Sequence, residues 1–354
     1  MLIRAGIIGS SGVGRLHVDA LRRIGVEIAG IAAATRQIAE DDAARLGVSK
    51  VFTSAEELIA SDAVDVVHVC TPNVLHFPLC RAALCAGKHV VAEKPLCTSF
   101  ADAEVLLRLA EERGLIHALC HGYRYYPMIQ ALRELISRGQ LGRVKALSGV
   151  WLCDELLAIG AGHWMLDPQQ MGPSLTLADV GVHWWDLVEH VTGTPIVEIM
   201  CETRAMRPAA NAGEDTAMLI ARLDGGAMAS ATICQVAPGH RNTLAVEVVG
   251  EHASAAWNIR GAEILTVREL GGGSKVLERA SSATAEIGVE AFLPRGQPEG
   301  HSDALRALFD RVYDRIGGRG SGRDYPTFAD GVRGLSVLDA ALRSAASNAW
   351  APVG

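Results

Sequence analysis

The stretch LIRAGIIGSSGVGRLH, residues 2–17, decides how the chain is read. An apolar run of strand type, 2–9, ends in a glycine-rich turn, and a helical pattern follows through Ile24. Against the dinucleotide fingerprint G-x-G-x-x-G, Gly9 and Gly14 hold the outer positions and Ser11 replaces the middle glycine. That glycine normally lets a pyrophosphate approach the backbone, and serine is its smallest polar substitute. The loop, with Gly12 and Val13 opening the helix, still presents N–H groups and a helix N-terminus to a diphosphate. Such a turn also occurs in α/β proteins that bind no dinucleotide. Its place after the first strand of an alternating series argues for the cofactor.

That series continues. Strand-type runs at 26–34, 64–70, 88–93 and 115–120 alternate with helical patterns ending at Gly47 and covering 75–86 and 99–113. Strands separated by helices imply right-handed βαβ units and a parallel sheet covered on both faces. After about residue 122 the pattern changes. A helix at 126–138 leads into VKALSGVWL, then EDTAMLIARLD, GAMASATICQV, NTLAVEVVG and ASAAWNI, joined by short turns such as Asp224-Gly225-Gly226. This suits an antiparallel sheet. Helices at 301–317 and 327–347 close the chain, and the Gly/Arg/Ser stretch 317–324 between them reads as a mobile loop. The fold class is α/β: a doubly wound Rossmann sheet over 1–122, then an α+β domain over 123–354 with a mostly antiparallel sheet.

Composition agrees. A length of 354 residues suggests two or three domains at about 150 residues each. With 49% hydrophobic residues the chain has ample apolar surface for one or two cores. Net charge −7 argues against a nucleic-acid surface, which needs clustered cations. Of the 33 cations only five are lysines, Lys50, Lys88, Lys94, Lys145 and Lys275, so a lysine in a tight apolar context calls for a reason. The eight cysteines are scattered, with no C-x-x-C pair, and read as reduced small hydrophobes. The immediate N-terminal strand leaves no signal peptide, and no run approaches a membrane span, so a cytoplasmic globular protein is expected.

The second strand bears on the cofactor variant. About 20 positions beyond the glycine turn, where an acidic residue would hold the adenosine ribose, stand Ala32, Ala33, Ala34 and Thr35, followed by Arg36. No carboxylate is there to repel a 2′-phosphate, and Thr35 and Arg36 offer donors to one, so NADP is expected over NAD. The alternative is that Arg36 merely opens a solvated helix.

Three further clusters fall at strand ends, where ligand sites of α/β sheets lie. They are Cys70-Thr71-Pro72-Asn73-Val74-Leu75-His76, Ala92-Glu93-Lys94-Pro95, and Ala178-Asp179-Val180-Gly181-Val182-His183-Trp184-Trp185-Asp186. With the glycine turn and its trailing His17, with GKHVVAEKP, and with Tyr123-Arg124-Tyr125-Tyr126-Pro127, the chain resembles the Gfo/Idh/MocA family of sugar and inositol oxidoreductases along essentially its whole length. The resemblance implies a Rossmann domain followed by an α/β domain with a large open sheet. It also implies nicotinamide lying between the domains, and homodimers or homotetramers formed through that sheet.

Carried over residue by residue, the resemblance makes Lys94 the contact to the reacting oxygen, Asp179 the group that orients the substrate, and His183 the general acid or base. The chemistry is coherent on its own terms. Hydride transfer from a secondary alcohol requires a proton to leave the same oxygen; imidazole titrates near neutrality, and a fixed ammonium stabilises a developing alkoxide. Four-residue spacing puts Asp179 and His183 on one face if the segment is helical. Cofactor contacts are expected from the glycine turn, Thr35, Arg36, Thr71, Pro72, Asn73, His76, Glu93, Lys94 and Arg124, and substrate contacts from Lys94, Tyr123, Trp164, Asp179 and His183. Each has a structural alternative: Lys94 in a solvated turn, Asp179 as a helix cap, and Trp164, Trp184 and Trp185 as packing rather than a sugar-stacking face. His163 joins Asp179 and His183 in no ligand spacing, so no metal is expected.

Two departures touch the substrate pocket. Where the family often has a glycine triplet before the aspartate, this chain has Gly172-Pro173-Ser174-Leu175-Thr176-Leu177-Ala178, and the frequent Trp-Arg pair appears as Trp164-Met165. Two other activities share the fold: a glycosidase that oxidises transiently through bound nicotinamide, and a non-catalytic cofactor or sugar sensor. Turnover of p-nitrophenyl glycosides without net cofactor consumption marks the first. The intact lysine and aspartate–histidine motifs argue against the second.

Overall fold

The computed structural model describes residues 3–160, 162–207, 213–319 and 325–354. The chain divides into two compact units, Met1–Gly122 with Ser302–Leu335, and Tyr123–His301 with Ser336–Gly354.

The first unit holds β1 (Arg4–Ile8), α1 (Val13–Arg23), β2 (Glu27–Ala32), α2 (Arg36–Leu46), α3 (Ala55–Ala60), β3 (Val66–Val69), α4 (His76–Cys85), β4 (His89–Ala92), α5 (Phe100–Glu112) and β5 (His117–Leu119). All five strands are parallel, in the order β2-β1-β3-β4-β5. A parallel bridge from Ile31 to Val51, with Phe52 N donating to Ile31 O at 2.9 Å, adds a one-residue sixth strand outside β2. Counting it, the sheet has the doubly wound order of dinucleotide-binding halves, with its switch point between β1 and β3. Every residue of β3 is buried, as a parallel strand covered on both faces requires.

The second unit holds α6 (Pro127–Ser137), β6 (Ala146–Leu152), α7 (Glu155–Ala158), α8 (Pro168–Met171), α9 (Val182–Thr192), β7 (Ile196–Arg204), β8 (Thr216–Leu223), β9 (Met228–Cys234), β10 (Thr243–Val249), β11 (Ala253–Asn258), β12 (Ile264–Glu269), β13 (Ser274–Glu278) and α10 (Ser282–Glu286). Then come α11 (His301–Ile316), α12 (Phe328–Ser347) and β14 (Ala351–Pro352). The strands form one sheet, β13-β12-β11-β10-β6-β9-β8-β7-β14, antiparallel except for β6 beside β9. Alternation along β8 buries Ala217, Leu219, Ala221 and Leu223 and leaves the other face open, with Met218 59% and Ile220 43% exposed.

The expected second domain, a continuous 123–354, is thus interrupted: residues 302–335 belong to the first unit. The apolar stripe of α11, Leu305, Leu308, Phe309 and Val312, is buried, with Phe309 against the rings of His17 and His68. Further on, Leu119 N donates to Pro326 O at 2.9 Å and Phe328 N to His117 Nδ1 at 3.0 Å, so the returning segment extends the edge beyond β5. Of the loop read at 317–324, residues 320–324 lie outside the described residues. Among the described residues no helix is long and apolar enough to cross a membrane.

Candidate active site

The glycine turn sits at the switch point and its glycines are obligatory for different reasons. Gly9 has φ +89°, and a Cβ there would lie 2.3 Å from Cys70 O; a Cβ on Gly14 would lie 2.0 Å from Gly9 O. The backbone strands of β1 and β3 therefore close on the turn so tightly that only hydrogen fits. Gly12, at φ +52°, faces open space. Helix α1 starts at Val13 with no side-chain cap and no acidic residue in its first turn, so its N-terminal dipole is left for a ligand anion. Ser11 does not turn its hydroxyl to that space: Ser10 and Ser11 both donate to Oδ2 of buried Asp42 on α2, each at 2.8 Å. Beside the turn, Thr71 Oγ1 is buried with no hydrogen-bond partner among the described residues. A cradle that excludes Cβ atoms, an open glycine and an orphaned hydroxyl fit a dinucleotide.

At the end of β2, Thr35 caps α2 by accepting from Ile38 N at 3.2 Å, and Arg36 pairs with Glu40 at 2.7 Å while largely exposed. Pro72 and Asn73 lead into a short 3-10 turn, with Asn73 buried. His76 staples this turn to the next: Nδ1 lies 2.7 Å from Pro95 O and Nε2 2.8 Å from Thr71 O. Both its nitrogens therefore face protein carbonyls, and burial lowers its pKa although the carbonyls favour the cation. Glu93 is buried with Oε1 3.1 Å from His17 Nε2 and Oε2 accepting from Lys94 N at 3.1 Å. Burial would raise its pKa, but the hydrogen bond and charge of His17, and then the charge of Lys94, bring it to about 2. The Lys94–Pro95 peptide is cis.

In the second unit, Asp179 lies in a π-helical turn, Leu177–Gly181, that runs directly into α9, and His183 occupies the first turn of α9. A wider π turn is a frequent mark of functional helices. Its start is held by Glu214, whose Oε1 accepts from Ser174 Oγ and from Leu175 N and Leu177 N at 3.0 and 3.2 Å. Asp179 is held by a residue the sequence offered no hint of: Gln235, fully buried at the end of β9, donates from Nε2 to Asp179 Oδ2 at 2.8 Å. Its Oε1 accepts from Thr176 Oγ1 at 2.7 Å, which fixes the amide's orientation. Asp179 is thus not a helix cap.

Around His183 lies an aromatic wall. The imidazole stacks on Trp151 (centroids 5.2 Å apart, 16°) and meets the edge of Tyr123 at 4.8 Å, and Tyr123 in turn touches His301 at 5.1 Å. The Tyr123 hydroxyl accepts from Asn242 Nδ2 at 3.3 Å, and burial, with Asp179 among the nearby charges, raises its pKa. Asp179 and His183 therefore both bear on Tyr123.

Other expected residues are used differently. Arg124 is clamped to Asp186 of α9, its Nε 2.9 Å from Oδ2 and its Nη2 on Oδ1. Trp184 and Trp185 are 1% exposed and belong to the core, which removes them as a stacking surface. Trp164 is partly buried against Leu156, Met165, Met171 and Leu175. His163 accepts from Met165 N at 3.4 Å and so caps a short turn. Trp151, Gln235, Asn242 and His301 escaped the sequence reading because nothing in their local pattern separates them from strand or helix filler.

A doubly wound nucleotide cradle joined to a second unit that carries an anchored aspartate and a helix-borne histidine defines a nicotinamide-dependent oxidoreductase. The chain belongs to the GFO/IDH/MocA oxidoreductase family: the oxidoreductase-family NAD-binding Rossmann model matches residues 3–121 and the GFO/IDH/MocA C-terminal domain model residues 129–256. It is 27% identical to a 1,5-anhydro-D-fructose reductase of Ensifer adhaerens over 99% of this chain and 98% of that one. To a levoglucosan dehydrogenase of Pseudarthrobacter phenanthrenivorans it is 24% identical over 91% and 88%. The crystal structure of an inositol dehydrogenase homologue complexed with NAD+ from Azotobacter vinelandii superposes with a TM-score of 0.89 at 27% identity, covering 99% of this chain and 97% of that one.

Proposed function

We propose that the protein interconverts a secondary hydroxyl and a ketone on a sugar, inositol or related polyol, with NADP as the preferred cofactor. Bound nicotinamide would supply the hydride acceptor or donor. The observation that carries the reading is the Thr176–Gln235–Asp179 chain, which anchors a carboxylate in the π turn that leads directly into the first turn of α9, where His183 stands. Asp179 accepts from a substrate hydroxyl and sets its orientation. His183 takes the hydroxyl proton in oxidation and returns it in reduction. Lys94, as an ammonium, stabilises the oxyanion that develops on the same oxygen. The stretch Gly9–Gly14 and Thr71 receive the dinucleotide.

Preference for NADP is supported by the absence of any carboxylate in Ala32-Ala33-Ala34 and by Thr35, whose oxygen accepts from Ile38 N while its O–H remains available to a phosphate. Assembly through the open sheet face is supported by its exposed apolar side chains, Met218, Ile220 and Met228. Eight free cysteines suit a reducing cytoplasm.

A panel of sugars, inositols and ketosugars, followed by nicotinamide absorbance with both cofactors, tests the reading. Turnover of at least one polyol, lost in Lys94→Ala and His183→Ala while dinucleotide still binds, is expected. Full turnover in either variant refutes the assigned roles, and tighter binding of NADH than NADPH refutes the cofactor preference.

A further inference from the structure

A histidine in the middle of a fully buried parallel strand is out of place unless both its nitrogens are used. His68 on β3 is 0% exposed, and both are: Nδ1 lies 2.9 Å from His17 Nδ1, and Nε2 lies 2.9 Å from the hydroxyl of Tyr313 on α11. The other nitrogen of His17 reaches Glu93, and Glu93 receives the backbone N–H of Lys94. Four side chains from α1, β3, the β4 end and α11 thus form one unbroken chain inside the first unit.

An ionised carboxylate only accepts, so His17 Nε2 carries a hydrogen. His17 Nδ1 shares one hydrogen with His68 Nδ1, and His68 Nε2 shares one with the Tyr313 hydroxyl. Burial, reinforced by His17, pushes the His68 pKa well below its ordinary value. At Tyr313 the nearby charge is that of Asp65, which adds to burial in raising the phenol's pKa. Cys70 Sγ is 3.3 Å from His17 Nδ1 and Cys120 Sγ 3.6 Å from Nε2, both thiols held protonated by burial, and Phe309 edges both imidazoles. At Glu93 the other nearby charges are those of Lys94 and His76. His17, Glu93 and Cys120 include donor types that cations accept, but both His17 nitrogens are spent in the chain, and no cation is invoked.

We propose that His68 and Tyr313, acting through His17, are positioning residues for the Glu93-Lys94 turn: they hold the His17 ring, and through it the Glu93 carboxylate, in place, so that its negative charge acts on Lys94. The proposal deepens the role given to Lys94 above and rests on that reading for its functional meaning. Without the His68 partner, the His17 ring is free to turn and release the carboxylate, which weakens the negative field at Lys94.

The test reads Lys94 directly. With only five lysines in the chain, acetylation of the full-length protein by N-hydroxysuccinimide acetate across a pH series resolves each by peptide mass spectrometry, and exposed Lys50, Lys145 and Lys275 serve as references. His68→Leu is expected to raise Lys94 labelling below its midpoint by about threefold or more, the change in free amine that half a pKa unit produces. Tyr313→Phe moves it the same way by less. His68→Asn, whose amide N–H falls near the lost Nδ1, restores the original profile. An unchanged Lys94 profile in a folded His68→Leu overturns the proposal, as does an Asn variant shifted as far as Leu, which marks a packing effect. Should His68→Leu fail to fold, an unchanged profile in Tyr313→Phe overturns it alone. Because labelling needs no turnover, a Lys94→Ala enzyme that remains active would refute the catalytic reading and leave this result standing.

Discussion

Gln235→Leu is the most informative single substitution in the second unit. The wild-type amide is fully buried and joins Thr176 Oγ1 at 2.7 Å to Asp179 Oδ2 at 2.8 Å. Leucine has nearly the same length and no donor, so it removes both bonds with little change in volume. A hydrogen bond to a charged group contributes about 1.5–3 kcal/mol, and a buried hydroxyl left without its partner costs about 1–3 kcal/mol. Asp179 is only partly buried, so water recovers some of the first sum. The expected loss at Asp179 is therefore about 1.5 kcal/mol, or about tenfold in kcat/KM on the best substrate of the panel, carried mostly by KM. Gln235→Glu adds a signed pH test. Two facing carboxylates share a proton more tightly than either alone, so the variant approaches wild type at low pH, where the introduced carboxyl is protonated and donates. It loses activity as pH rises through the pair's apparent pKa. Steady-state kinetics over pH, with melting curves to confirm folding, measure both. Wild-type kcat/KM in a folded Leu variant, or a Glu variant whose pH profile matches wild type, refutes the claim that Gln235 holds Asp179.

Other outcomes follow from equally local geometry. Gly14→Ala sets a Cβ 2.0 Å from Gly9 O, a contact that only a backbone shift relieves, so NADPH and NADH affinity should fall by about 100-fold or more in fluorescence titration; near-normal binding would contradict the cradle. Arg279 is fully buried, donating to Glu263 at 2.6 Å and Glu299 at 3.0 Å, so Arg279→Met leaves the Glu299 carboxylate only the backbone N–H groups of Phe292 and Leu293 and should lower stability by about 2–3 kcal/mol in denaturant melts. Glu93 falls from its ordinary 4.5 to about 2 on folding, so its share of stability is complete above pH 4.5 and is lost as pH falls toward 2. Glu93→Gln should accordingly flatten acid denaturation in that window, and an unchanged slope would show that Glu93 does not drive it.

The order of elements in the first unit was legible because parallel strands buried on both faces must be apolar throughout, and helices between them announce themselves by length and by stops such as Gly47 and Gly114. In the second unit β7, β12 and β13 went unread, since strands near a sheet edge carry charged and apolar residues without strict alternation. The π turn at Leu177–Gly181 was invisible for a related reason: its backbone is imposed by Glu214, distant in sequence. His68 did carry a signal, a polar residue inside VVHV, but its meaning depends on Tyr313, far along the chain.

Local chemistry determined the strand–turn–helix character of the first unit, because its glycines and apolar strands must sit together for steric reasons; the lysine after β4 and the aspartate–histidine pair stood out through the family resemblance of their motifs. Long-range closure decided the rest. Only in the folded chain does 302–335 return to the first unit, Gln235 meet Asp179, Asp42 take the serine hydroxyls of the glycine turn, and Tyr313 complete the relay to Glu93. A buried polar group is satisfied by whatever the topology brings beside it, and sequence spacing carries no record of that partner.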